Sequence, residues 1–317
     1  MYFPYLYARR FELLALRGLI KEEGDLSKTV VPVLEPIARK TDDLKRCLAT
    51  LGAAKIRSVV VMNPMQGEFK SHLGSDLRKN LSDDFEQYPS LLPGLICRSD
   101  VRASAVDEFL EHHDSGDVAL LYWNTRLERA DIQRIARTRR VRFNIVLHDQ
   151  MAADLESLLS RDTLIHIRDR FNARDKNAEY DGSEFFSDSY LTFRKTGVGY
   201  GDFMTIGSVY KKGGGPAHAV AIHATYKQSK SNQLWVEHFV SDDTDRYVGS
   251  VPEKFLQAAR KFVRALTKRR SEFGTNTSLA RYEECVRNSY FPGLGVNKQL
   301  QIHHHIALNH QILSGEV

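Results

Sequence analysis

Each of six short apolar runs in this chain ends on polar residues: Glu35, Asn63, Arg98 with Asp100, Asn124, His148 with Asp149, and Arg168 with Asp169. Their types suit work on an anion. Arg98 and Arg168 can clamp a phosphate or carboxylate through the planar guanidinium fork. Glu35, Asp149 and Asp169 carry the oxygens that a hard divalent cation takes as ligands. His148 titrates closest to neutral pH and can act as acid or base, with Glu35 and Asp149 as further catalytic candidates. Asn63, Asn124 and Asp202 complete the group as substrate contacts. The competing reading is that Arg–Asp pairs at strand ends neutralise one another and cap the helices that follow.

The elements that must position these groups follow from the spacing. Runs rich in Val, Ile and Leu over 30–34, 58–62, 92–97, 118–123, 143–147 and 163–167 read as parallel strands buried on both faces. Segments 42–54, 101–113, 127–138 and 151–160 read as the intervening helices. Successive β-α crossovers of one hand build a barrel or a doubly wound sheet. No Gly-x-Gly-x-x-Gly follows the first run, so a TIM-like (β/α) barrel is expected. Residues just past its strands converge on one mouth, and Glu35, Arg98, Asp149 and Arg168 are expected around one concavity there. Arg168 should project into it, in which case Arg168→Lys impairs function without unfolding the chain.

Beyond Arg168 the rhythm changes. Candidate strands cover 203–207, 219–226 and 234–240, the last two forming a β-hairpin through the polar 227–233. They either close the barrel as modified last units or form a small appended sheet. Within 253–270, Phe255, Ala259, Phe262, Val263 and Leu266 make one apolar helical stripe. Phe291-Pro292-Gly293-Leu294-Gly295 then breaks the chain before a last helix through Ile312. The expected organisation is a barrel domain over 1–250, hairpin included, with C-terminal helices over 251–317 packed on it.

With 42% hydrophobic and 27% charged residues, the 317-residue chain has enough apolar surface for a large core. Its formal charge of +5 comes from 45 basic against 40 acidic residues, which points only weakly to an anionic partner. The basic runs 134–142 and 261–270 suit solvated helix faces as well as phosphates. Cys47, Cys97 and Cys285 are odd in number and lack a Cys-x-x-Cys pair, as expected of free thiols in a cytoplasmic protein. No stretch reaches the length of a membrane span, and the aromatic start with Pro4 is not a secretory leader.

Several showier motifs are weaker. Gly213-Gly214-Gly215-Pro216, after Lys211 and Lys212, lacks the Gly-Lys-Ser/Thr ending of a P-loop and reads as a turn. Gly199-Tyr200-Gly201-Asp202 reads as a turn carrying a carboxylate. His218, His223 and His238 show no metal spacing, and Glu237, Asp242, Asp243 and Asp245 read as a solvated loop. His303, His304 and His305 fan about 100 degrees apart on a helix and cannot share one ion. His303, Ile306 and His310 instead make a docking stripe.

The opening Met1-Tyr2-Phe3-Pro4-Tyr5-Leu6 with 11–16, Val31-Pro32-Val33-Leu34-Glu35-Pro36, Gly201-Asp202-Phe203-Met204-Thr205-Ile206-Gly207, the 213–221 stretch, and Phe291–Gly295 with His303–His305 belong together. They resemble an uncharacterised bacterial family allied to the phage-type Beta protein family, over nearly the whole chain. Tyr7-Ala8-Arg9 departs from the Arg-Gly type of continuation found there. The resemblance implies a barrel-like fold and, for some members, a neighbouring gene for a restriction-endonuclease-like protein, hence a defence or mobile-element role with that protein as partner. It transfers no catalytic residue. Two functions stay open: a hydrolase acting on a phosphate-bearing or other anionic small molecule at the barrel mouth, with a divalent cation as possible cofactor, or a non-catalytic recognition or scaffold subunit for a nuclease partner or nucleic acid.

Overall fold

The computed structural model describes residues 1–69, 75–211 and 218–317, so the glycine-rich motif at 213–216 and Lys212 lie outside the described residues. The chain begins with β1 (Tyr2–Leu6), α1 (Arg10–Glu22), β2 (Val33–Leu34), α2 (Asp42–Ala53), β3 (Ser58–Val61) and α3 (Ser75–Gln87). It continues with β4 (Leu91–Cys97), α4 (Ala103–His112), β5 (Val118–Tyr122), α5 (Arg129–Ala136), β6 (Val141–Leu147), α6 (Ala153–Glu156) and β7 (Leu164–Arg168). Then come β8 (Ser183–Ser187), α7 (Ser189–Thr192), β9 (Gly199–Asp202), β10 (Ala221–Lys227) and β11 (Leu234–Val240). Helices α8 (Val251–Lys268), α9 (Arg270–Phe273), α10 (Thr277–Arg287) and α11 (Leu294–Ser314) end the chain.

Eight parallel strands close a barrel in the order β1-β2-β3-β4-β5-β6-β7-β9, alternating with helices in the TIM-like manner. The barrel starts one strand earlier than the sequence suggests. The aromatic run at residues 2–6 is β1, and the 30–34 segment supplies only the two-residue β2. Pro4 lacks the N–H of a ladder donor, which is why such a run does not read as a central strand.

The closing strand also differs from expectation. It is β9 rather than a strand over 203–207, where Met204–Ile206 forms a 3₁₀ turn. Glycine makes β9 possible because a Cβ on Gly201 would lie 2.1 Å from the Phe3 carbonyl oxygen, and one on Gly199 would lie 2.4 Å from the Phe3 ring. These glycines are spacers for a bulky neighbour, not turn formers. The Gly199–Asp202 tetrapeptide is therefore strand, and α3 and β8 are further elements beyond those that the apolar spacing marks.

The chain forms two compact units. The first holds Met1–Leu13, Leu26–Asp169 and Ser189–Phe203, and so the barrel strands. The second holds Leu14–Asp25, Arg170–Asp188 and Met204–Val317. In it β10 and β11 pair as the expected hairpin, and β8 adds to β11 to give a three-stranded antiparallel sheet, so the hairpin belongs to a small separate sheet. Phe255, Phe262, Phe273 and Tyr282 build the core there with Ile222 and Phe239. Ser250 and Glu253 close a reciprocal capping box at the start of α8. Helix α11 is buried continuously from Leu300 to Gln311, so it does not present the single docking stripe expected of it. Among the described residues no helix is long and apolar enough to cross a membrane.

Candidate active site at the barrel mouth

Register and alternation decide which side chains reach the mouth. The Phe3 and Phe143 rings meet edge to face at 5.1 Å although β1 and β6 are not neighbours, so both lie in the barrel lumen. Side chains two residues on share a face, which carries Tyr5 and Tyr7 to the lumen side above Phe3. Tyr5 is level with Val33, and Glu35 follows Val33 on that same face. The Phe203 ring lies 4.7 Å from that of Tyr5 and 6.3 Å from that of Tyr7.

Glu35 is the centre of this arrangement. It is 1% exposed, and its Oε2 accepts from the Tyr5 hydroxyl at 2.7 Å while Oε1 accepts from the Met65 N–H at 2.6 Å. Burial pushes its pKa up; the Tyr5 bond, the Met65 and Gln66 amides and the Arg98 charge oppose the rise without cancelling it. The Tyr7 hydroxyl is pushed far up, by burial first and then by the charges of Glu35, Glu12 and Asp169. Arg98 donates from Nε to Asp100 at 2.6 Å and from a terminal nitrogen to the Asn63 carbonyl at 3.3 Å.

His148 joins from the other side. Its ring stacks on Phe203 at 4.8 Å and 11°. Burial lowers its pKa, against the opposing charges of Asp169 and Asp149, and so favours the neutral imidazole. His148 and Asp149 are both left-handed, at φ +54° each, as are Asn124 at +49° and Ala8 at +48°. Such non-glycine residues are uncommon and cost about 1–2 kcal/mol each. Here they sit in the loops that follow β1, β5 and β6, on the mouth side, and the Asn124 N–H is tied to the Gln150 carbonyl at 2.7 Å.

The remaining expected groups stand elsewhere. His166 is level with Tyr200 and Arg168 with Asp202, on the strand face opposite that of Ile167 and Gly201. Arg168 spends its Nε on both Asp149 oxygens at 2.7 Å, and His166 lies 3.5 Å from Asp149 and 3.4 Å from Glu156. Asp202 is buried and accepts from the Tyr2 hydroxyl at 2.7 Å. Asn63 brackets the Ile96 backbone, accepting its N–H at 2.8 Å and donating to its carbonyl at 2.9 Å, as a strand residue would. Glu35 and Arg98 thus share the mouth with His148, whereas Arg168 and Asp202 lie on outward strand faces and Asp149, in the turn after β6, pairs with Arg168. Glu35, Asp149 and Asp169 do not form a cation-binding group among the described residues.

Compared with known proteins, the chain matches no family model, no curated protein and no solved structure.

A cleft of about 420 Å³ lies between the β1–α1 loop and the start of α1 (Ala8, Arg9, Arg10) and the β2–α2 loop (Pro36, Ile37, Lys40); Pro36, next in sequence to Glu35, lines it, whereas the buried Glu35 side chain does not. Arg46 also lines it, giving four basic side chains against Asp42 and Asp43. The cleft, Tyr5, Tyr7 and Phe203 lie outside the set of expected site residues. Their signal is the alternation Phe3-Pro4-Tyr5-Leu6-Tyr7, legible only once residues 2–6 are taken as a strand. None of the three cysteines competes as a nucleophile: all are buried, and burial pushes the Cys97 thiol up to about 12.

Proposed function

We propose that this chain is an enzyme acting on a phosphate-bearing or otherwise anionic substrate at the carboxyl-terminal mouth of the barrel, with hydrolysis as its reaction class. The observation that carries the reading is Glu35, a buried carboxyl with a raised pKa that is bonded to Tyr5 and feels the Arg98 charge; the loop that follows it lines, through Pro36, Ile37 and Lys40, a cleft that also holds Arg9, Arg10 and Arg46. In this reading a water attacks the substrate while neutral His148 takes its proton, and Glu35, in its protonated form, returns a proton to the leaving oxygen. Arg98 and the cleft arginines hold the anion and its developing charge. Asn63 and Asp202 position the strand ends, and the Arg168–Asp149 pair fixes the loop that carries His148.

The test is hydrolysis of chromogenic phosphate mono- and diesters by the full chain and by Glu35→Gln. Loss of an acid–base group should cost about 10²–10⁴-fold in kcat/KM. Wild-type turnover in Glu35→Gln would refute the assignment. A second reading, a recognition subunit for a nuclease partner or nucleic acid, draws on the same basic cleft and on the Beta-protein resemblance, whose neighbouring restriction-endonuclease-like protein would be the partner in a defence cassette. It is favoured instead if the chain turns over no phosphoester but co-purifies with that neighbour.

A further inference from the structure

A different convergence of chemistry lies in the second unit, where the end of α1 meets α10 and α11. Glu22 is the last residue of α1 and Glu23 follows it. Glu23 Oε1 lies 2.9 Å from His303 Nε2, and the hydroxyl of Thr277, the first residue of α10, lies 2.5 Å from Glu22 Oε2, 2.9 Å from Glu23 Oε1 and 3.2 Å from His303 Nε2. One donor atom from each of Glu22, Glu23 and His303 falls within 4.8 Å of the others.

Hydrogen bonding alone leaves this cluster short of positive charge. The Thr277 hydroxyl has one proton for two carboxylate oxygens, and the Thr277 N–H, 2.9 Å from Glu23 Oε1, serves only the second. One imidazole nitrogen and the oxygens of two carboxyl groups thus converge on a single point. It also sits at the carboxyl end of a 13-residue helix, where the backbone dipole is itself negative and favours a cation. His303 is 3% exposed and packs against Gly18 of α1. Glu22 is exposed, so the site has an entry from solvent.

We propose that Glu22, Glu23 and His303 form a binding site for one divalent transition-metal ion, of which Zn²⁺ is the best fit. An imidazole nitrogen with two carboxylate oxygens is a zinc-type ligand set, unlike the all-oxygen sets that hold Ca²⁺ or Mg²⁺. Three protein ligands leave a fourth position for the Thr277 hydroxyl or a water. The neighbouring histidines do not take part, because His304 turns to Asn276 and the Thr225 carbonyl, and His305 to Thr225 and Asn309. The ion would join α1, α10 and α11 at one point, which a chain of hydrogen bonds does less firmly.

The full chain, stripped with chelator and dialysed, is titrated with Zn²⁺ by calorimetry and with Co²⁺ by visible absorption. One Zn²⁺ per chain at micromolar or tighter affinity is expected, with cobalt bands of a low-coordinate nitrogen–oxygen site and a rise in melting temperature. Glu22→Gln, a nearly isosteric change at an exposed position, should weaken binding by about 10–100-fold and abolish the thermal rise. Absence of Zn²⁺ and Co²⁺ binding, or unchanged affinity in Glu22→Gln, would overturn the site.

Discussion

Tyr5→Phe isolates the hydrogen bond that most opposes the burial-driven rise of the Glu35 pKa. The substitution removes the hydroxyl that donates to Glu35 Oε2 at 2.7 Å and leaves the ring against Phe203 and Tyr7, so packing is nearly unchanged. Against an ionised carboxylate the lost bond is charge-assisted and worth about 1.5–3 kcal/mol; against the protonated acid it is worth about 0.5–1.5 kcal/mol. Burial raises the folded pKa of Glu35 above its ordinary 4.5, so its contribution to stability is fully present below 4.5 and is lost as pH rises through the raised folded value. The Tyr5 hydroxyl limits that loss by favouring the charged form. Without it the decline with pH should steepen, and the penalty of Tyr5→Phe should grow from the lower range in acid to the upper range in mild alkali. Urea unfolding of both proteins across that span measures it. A penalty independent of pH would refute the coupling of Tyr5 to the carboxylate.

Glu35→Gln carries no buried charge and should be more stable than the parent above the raised Glu35 pKa, with the difference vanishing in acid; thermal melts across pH check it, alongside the loss of turnover. Arg168→Lys should keep stability within about 1 kcal/mol, because the pair with Asp149 is partly exposed, and should keep kcat/KM within a few fold. A large kinetic loss in that variant would return Arg168 to the substrate. Asn63→Ala breaks both bonds to the Ile96 backbone and leaves that N–H unpaired, a cost of about 1–3 kcal/mol in urea unfolding.

The barrel is legible because its middle strands are two-sided apolar runs: 58–62, 92–97, 118–123, 143–147 and 163–167 each match a strand to within a residue or two. Its ends are not. Strand β1 is aromatic and holds a proline, and β9 spends two of its four positions on glycine so that the Phe3 backbone and ring can approach. Both departures come from one long-range requirement, that residues near 3 and near 200 share a seam closing the barrel, which no local propensity expresses. The hairpin follows from alternation, but the third strand β8 does not, since Ser183–Ser187 is mostly polar and only pairing with β11 makes it a strand.

The same logic separates the legible from the illegible part of the site. Position after a strand correctly gathers polar residues at one end of the barrel, but it says nothing about face. Arg168 and Asp202 are the last residues of β7 and β9, and parity with His166 and Tyr200 puts them outward. Glu35 stands one residue beyond β2, in parity with Val33, and so faces inward with Tyr5. His148 reaches Phe203 from a left-handed residue that ends the strand's alternation. The paired histidines His223 and His238 make the point in the second unit, since they are 15 residues apart with no ligand spacing. They are direct cross-strand partners, with Nδ1 atoms 2.8 Å apart and Glu184 at 3.3 Å from His238. Residue type and strand position thus name the chemistry available, whereas register decides which of those groups face the same side. That decision places Glu35, Arg98 and His148 on one side of the sheet, and it leaves Arg168 and Asp149 to each other.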